Sequence, residues 1–117
     1  MPYLRHWVNG AAVGVVELAE QFTIGRAGNN DLQLDDGTVS GEHAIVKRRG
    51  ELFVISDRNS TNGITLNGKR ITEHTFAESD VVMIGTHEFE FLHKLPLDLT
   101  KTLKIKKSWI PGVYYTE

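Results

Sequence analysis

The strongest constraint on this chain is its punctuation. Asn9-Gly10, Asn62-Gly63 and Asn67-Gly68 are signals for tight turns, because Asn and Gly tolerate positive φ. Asp36-Gly37 and Arg49-Gly50 add two more. Between these turns lie short runs rich in β-branched and aromatic residues. They predict strands at 4–8, 12–18, 22–25, 32–34, 44–47, 52–56, 64–66, 81–84 and 88–92. Period-two alternation is clearest in Glu88-Phe89-Glu90-Phe91, which puts charge on one face and rings on the other. Residues 64–71 read as a small hairpin turning at Asn67-Gly68. No segment of eleven or more residues carries a capped helical stripe. The expected class is therefore all-β, a sandwich of mostly antiparallel sheets or a barrel.

Composition narrows the function. With 117 residues there is room for one domain, and a 40% hydrophobic content is ordinary for a globular chain. No apolar run reaches the roughly 18 residues that a membrane span needs, and residues 1–7 lack the pattern of a secretory signal. An intracellular, cytoplasmic protein with no membrane partner is expected. The absence of Cys excludes a disulfide scaffold and a thiol nucleophile. A net charge of −2 gives no support for nucleic-acid binding through neutralised phosphates. The five His, at 6, 43, 74, 87 and 93, show no metal-ligand spacing, so neither metal nor cofactor is expected.

Charge divides the chain in two. Residues 93–117 carry five Lys against Asp98 and Glu117, a net +3, which leaves residues 1–92 at about −5. We expect a β-sandwich domain over 1–92 and a basic, aromatic-containing tail over 93–117, appended to the sheets rather than forming a regular strand.

A catalytic reading is available and weak. Ser40, His43 and Asp57 offer a nominal nucleophile, base and orienter, but the serine lacks the G-x-S-x-G turn of a hydrolase. An imidazole that hydrogen-bonds a loop is the plainer account of His43, and no catalytic residue is assigned. Gly25-Arg26-Ala27-Gly28 has neither a dinucleotide nor a P-loop pattern. Taken singly, Arg26 is a surface charge, Ser40 a turn former and Asn62-Gly63 a turn.

Taken together, these loops have an order and spacing that point elsewhere. Phe22-Thr-Ile-Gly-Arg26 is followed by Val39-Ser-Gly-Glu-His43-Ala44, then by Asp57-Arg-Asn-Ser-Thr-Asn-Gly63, then by Leu66-Asn-Gly68 and Glu78-Ser-Asp80-Val-Val-Met-Ile-Gly85. In this the chain resembles the forkhead-associated (FHA) domain, a phosphothreonine-recognition module, from about residue 4 to residue 92. The resemblance implies a sandwich of two mostly antiparallel sheets with recognition loops gathered at one end. It implies a Thr-phosphorylated protein or peptide as partner and a Ser/Thr kinase upstream. By resemblance, Arg26, Ser40, Thr61 and Asn62 contact the ligand, with Gly41 beside them. Gly25, His43 and Gly63 hold the loops in shape, with Asn59 and Ser60 in the same supporting group.

The chemistry suits that ligand. A phosphothreonine carries close to two negative charges and three acceptor oxygens. Arg26 offers a permanently charged fork of donors, Ser40 and Thr61 offer compact hydroxyls, and turn N–H groups near Gly41 and Asn62 can form an anion nest. Asn62 carries both a donor and an acceptor, so it can pair with a peptide backbone. One departure stands out. The residue after the serine is often Arg, Lys or Asn in the family, but here it is Gly41, followed by the acid Glu42. Arg58 either compensates or faces solvent.

A second reading is a phosphorylation-independent interaction scaffold that uses a sheet face or the tail. The tail also holds Thr100 and Thr102, possible phosphoacceptors that could dock into a neighbouring molecule head to tail. The plainer reading is a basic tail or an edge strand packed on its own domain. Trp109, Ile110, Tyr114 and Tyr115 are either a docking motif or cover for an apolar patch.

Overall fold

The computed structural model describes residues 2–94, 105–107 and 113–116. Thirteen strands form in chain order. They are β1 (Tyr3–Val8), β2 (Ala11–Glu17), β3 (Gln21–Gly25), β4 (Leu32–Gln33), β5 (Ala44–Arg49), β6 (Leu52–Asp57), β7 (Ile64–Leu66), β8 (Lys69–Ile71), β9 (Glu73–Thr75), β10 (Val81–Ile84), β11 (His87–Leu92), β12 (Ile105–Lys107) and β13 (Val113–Thr116). There is no helix among the described residues. The larger sheet runs β12-β13-β2-β1-β11-β10-β7-β8, and the smaller runs β4-β3-β5-β6-β9. Among the described residues every strand pairing is antiparallel except the short β3–β4 pair, which is parallel. The all-β, two-sheet expectation is met.

The turn chemistry acts where the sequence placed it. Asn9 and Gly10 both have positive φ, 51° and 79°, and join Val8 directly to Ala11 across the β1–β2 pair. Asn67 and Gly68, at 53° and 80°, do the same between Leu66 and Lys69. Two successive positive φ values give the local twist that suits a two-residue hairpin. Asn62-Gly63 does not make such a hairpin. It closes a six-residue loop between β6 and β7 in which Asn59 and Gly63 take positive φ.

Alternation decides which faces meet. Leu4, Phe89, Phe91, Val82, Ile84 and Ile64 turn inward from the larger sheet, and each is at most 2% exposed. Phe22, Ile24, Val46, Phe53 and Ile55 face them from the smaller sheet. Phe76 stacks on Phe91 at 4.9 Å between ring centroids. Burying a side chain of this size stabilises the fold by about 1.5–3 kcal/mol each, so this interface holds the two layers together.

The tail departs from the expectation of no regular strand and meets the alternative of an edge strand packed on its own domain. Residues 113–116 pair with β2 and residues 105–107 pair with 113–116, which extends the larger sheet by two strands. Strand pairing needs only extended backbone and an open edge, and β2 offers one, so the segment's composition could not choose between a free tail and an edge strand. Thr100, Thr102, Trp109 and Ile110 lie outside the described residues.

One polar chain crosses the interior edge of the sandwich. His6 Nε2 meets His87 Nδ1 at 2.7 Å, and His87 Nε2 lies 3.4 Å from Asp36 Oδ2. His6 stacks on Phe89 at 4.7 Å. Burial, reinforced by the neighbouring His87, pushes the His6 imidazole down to about 4. Burial also lowers His87, against the opposing pull of Asp36. Both rings are thus held neutral by the fold, whereas in the unfolded chain they take up protons near the ordinary histidine pKa of about 6.5. Stability from this source is complete above that pH and is lost as pH falls towards 4. The carboxylates that the fold lowers, Asp36, Glu78 and Asp80, begin to lose their contribution only as pH falls through their ordinary values of about 4, so the histidines dominate between pH 7 and pH 5. We expect the urea midpoint to drop between pH 7 and pH 5. In His6→Phe, which keeps the stack on Phe89 without titrating, that drop should shrink.

Candidate functional site

Three loops meet at one end of the sandwich: 26–31 after β3, 34–43 before β5, and 58–63 between β6 and β7. Their backbones are laced together. Arg26 N–H donates to Ser40 O at 2.9 Å and Ala27 N–H to Gly41 O at 3.1 Å. Asn30 Nδ2 donates to Ala27 O at 2.8 Å and to Gly41 O at 2.7 Å. Gly25 lies under this contact. A Cβ there would fall 2.2 Å from Gly41 O and 2.7 Å from Asn30 Nδ2, so only glycine allows the two loops to close. Asp31 anchors the far end of its loop, accepting from Thr23 N–H at 2.9 Å while its own N–H donates to Thr23 Oγ1.

His43 fastens the second loop to the third. The ring is completely buried. Ser40 N–H donates to Nδ1 at 3.0 Å, which places the ring hydrogen on Nε2, and Nε2 donates to Gly63 O at 2.7 Å. The third loop is closed internally by Ser60, a buried hydroxyl. Its Oγ donates to Asp57 Oδ1 in a short hydrogen bond and accepts Gly63 N–H at 2.9 Å. Asn59, at φ 59°, supplies the left-handed step that this loop needs. Arg70, from β8, lies against Gly63, where a Cβ would meet its Nε at 2.3 Å, and Nη2 donates to Ser60 O at 3.3 Å.

This frame brings the backbones of Arg26, Ser40, Thr61 and Asn62 near one another: Arg26 N–H meets Ser40 O, Thr61 N–H meets Ser40 Oγ, and Asn62 follows in the chain. Thr61 N–H donates to Ser40 Oγ at 3.0 Å, so the serine's own hydrogen is left to point elsewhere. Asn62 Nδ2 donates to Thr38 O at 2.8 Å, leaving its second amide hydrogen and its Oδ1 outward. The Arg26 side chain is exposed, and no acid among the described residues pairs with it. Arg58 does have a partner. Its Nη2 sits 3.6 Å from Glu42 Oε2, so the cation that could have offset the missing side chain at Gly41 is engaged by the adjacent acid. Gly41 itself faces open space, with only Ala27 Cβ near, at 3.9 Å.

The nominal triad is not assembled. His43 takes the Ser40 backbone N–H, not its hydroxyl, and its other nitrogen serves Gly63. Asp57 receives Ser60 instead of orienting the imidazole.

Several supports were missed from the sequence. Asp36 Oδ1 accepts Thr38 N–H at 2.8 Å and Thr38 Oγ1 at 2.7 Å, while Oδ2 accepts Thr86 Oγ1 at 2.7 Å. It thereby fixes the approach to Ser40 and the turn between β10 and β11. Gly85 in that turn has φ 60° and would place a Cβ 2.4 Å from Thr38 Oγ1. A hollow of about 320 Å³ opens here, between Thr38, Asn62, Thr86 and Met83. Asp36 and Asn30 carry ordinary loop signals in the sequence, and nothing marks their distant partners.

Comparison with known proteins agrees with this fold. The family model of the FHA domain matches residues 22–85. The transcriptional regulatory protein EmbR of Mycobacterium tuberculosis is 39% identical over 69 residues, covering 58% of this chain and 18% of EmbR. The glycogen accumulation regulator GarA of Mycolicibacterium smegmatis is 37% identical over 68 residues, covering 58% of this chain and 43% of its own length. The chain thus spans less than half of either relative. Among solved structures, M. tuberculosis EmbR in complex with a low-affinity phosphopeptide gives a TM-score of 0.72 at 33% identity, over 81% of this chain and 25% of that one. The FhaA FHA domain, complexed with the intracellular domain of another protein, gives 0.69 at 29% identity, over 78% and 99%. A family match over more than half of the chain, on a fold shared with solved members, makes this chain a member of the FHA domain family.

Proposed function

We propose that the chain is a non-catalytic recognition module. It binds phosphothreonine-containing segments of partner proteins at the three-loop site and recruits targets of a Ser/Thr kinase. The observation that carries this reading is the exposed Arg26 side chain, unpaired among the described residues, on loops whose backbones are already laced to one another. A cation held next to prepaid backbone geometry is a site for an anion, because little ordering remains to be done on binding. Ser40 Oγ accepts from Thr61, so its O–H can donate to an outside acceptor. The Thr61 hydroxyl and the Gly41 and Asn62 N–H groups extend the donor set. Asn62 keeps a donor and an acceptor for the backbone of the bound segment. Similarity to EmbR, solved with a phosphopeptide, supports the same assignment.

The Glu42–Arg58 pair and the bare Gly41 set the strength. A charge-assisted hydrogen bond contributes about 1.5–3 kcal/mol, so a site lacking one binds roughly ten- to hundredfold more weakly.

Two outcomes are expected in peptide titrations followed by fluorescence anisotropy. A phosphothreonine peptide binds and its phosphatase-treated twin does not, and Arg26→Ala lowers affinity by at least about tenfold. Binding that survives dephosphorylation would instead assign a phosphorylation-independent scaffold. Gly41→Arg, placed in open space, should tighten phosphopeptide binding by roughly tenfold. No gain in a folded Gly41→Arg protein would show that this position does not face the phosphate.

A further inference from the structure

The hollow at the recognition loops does not end there. A second hollow of about 280 Å³ lies between Asn67, Gly68, Val81 and Glu88, and the two share Thr65 and Met83 as lining. Together they make one trough along the outward face of β7 and β10. The strand register explains it. Val82 and Ile84 are fully buried in the core, so Val81 and Met83 must face outward. Met83 lies opposite Thr65 on one side and Glu88 on the other. Met83 is 41% exposed, an unusual position for a large apolar side chain in a sheet interior, and Thr65 beside it is too small to cover it. From Asn62 to Asn67 the trough follows five residues of chain, or about 17 Å at strand spacing.

The far end has a charge to satisfy. Glu88 is only half-buried, and no cation among the described residues pairs with it. The floor is thus apolar and adaptable at Met83, and anionic at Glu88. Resting on the phosphothreonine reading above, we propose that this trough receives an extended continuation of the same bound segment. An apolar residue of the partner lies over Met83, and a lysine or arginine four to six residues from the phosphothreonine meets Glu88. The loop site then reads the phosphate, and the sheet face reads what surrounds it. Continuity with the loop site and the unpaired carboxylate are what favour this occupant over a second copy of the chain.

The test uses the full chain and three synthetic phosphothreonine peptides. One is short, with three residues on either side. Two are extended, with Lys or with Glu at positions four to six on each side. The Lys peptide should bind about three- to fivefold more tightly than the Glu peptide, the upper range for an exposed ion pair. Glu88→Lys should reverse that order and leave the short peptide unchanged. Glu51→Lys makes the same charge change on the exposed β5–β6 turn and should preserve the order. Equal binding of the two extended peptides, or a preference that Glu88→Lys does not alter, overturns the proposal while leaving the phosphothreonine site standing. Failure of the short peptide to bind overturns the site itself and this inference with it. Sedimentation provides the remaining check. A dimer that Met83→Asp dissolves would give the trough to a second copy and overturn the proposal, whereas a monomer in both proteins agrees with it.

Discussion

The imidazole of His43 is the contact on which the recognition end depends. It joins a backbone donor of one loop to a backbone acceptor of another, in a place where water does not reach. Both partners are main-chain groups, and a buried main-chain group left unpaired costs about 1–3 kcal/mol. Few side chains offer an acceptor and a donor on opposite edges of a small rigid ring. Loss of that ring would strand Ser40 N–H and Gly63 O together, and with them the positions of Ser40 Oγ, Thr61 and Asn62. The exposed side chains of the site are therefore placed by an interior group that touches no ligand.

The same logic runs through the rest of the loop cluster. Asn30 ties the first loop to the second, Ser60 ties the third to itself, and Asp36 ties the second to the β10–β11 turn. Each uses a short polar side chain to satisfy backbone that irregular structure would otherwise leave open. Against that background the Arg26 side chain is conspicuous for being left over. A surface arginine is commonplace, but one set on loops whose backbones are already fastened to one another is poised for something outside the chain.

What the sequence disclosed follows from the range of the physics involved. Asn9-Gly10 and Asn67-Gly68 made hairpins because their turn preference is local and needs no partner. Phe89 and Phe91 pointed inward because alternation is local too. β9 escaped notice because Glu73-His74-Thr75 has no apolar pattern and is a strand only by pairing with β6. β12 and β13 were legible only as the alternative of an edge strand in the tail, because they are defined by the edge they join. Arg26, Ser40, His43 and Asn62 were legible through their spacing, which matches a family. Their mechanism was not, because it lies in contacts such as Ser40 Oγ to Thr61 N–H, 21 residues apart. The His6–His87 contact spans 81 residues and left no trace in either neighbourhood.

The added hairpin at β12 and β13 changes how this molecule meets others like it. It moves the open margin of the larger sheet from β2, with its Ala-Ala-Val-Gly-Val-Val run, to a strand that reads Ile-Lys-Lys. The opposite margin, β8, reads Lys-Arg-Ile. By sequence both of these margin strands are basic, a composition that disfavours edge pairing with a second copy. Under the recognition role proposed above, such insulation keeps the larger sheet from competing for the segments that the loops receive.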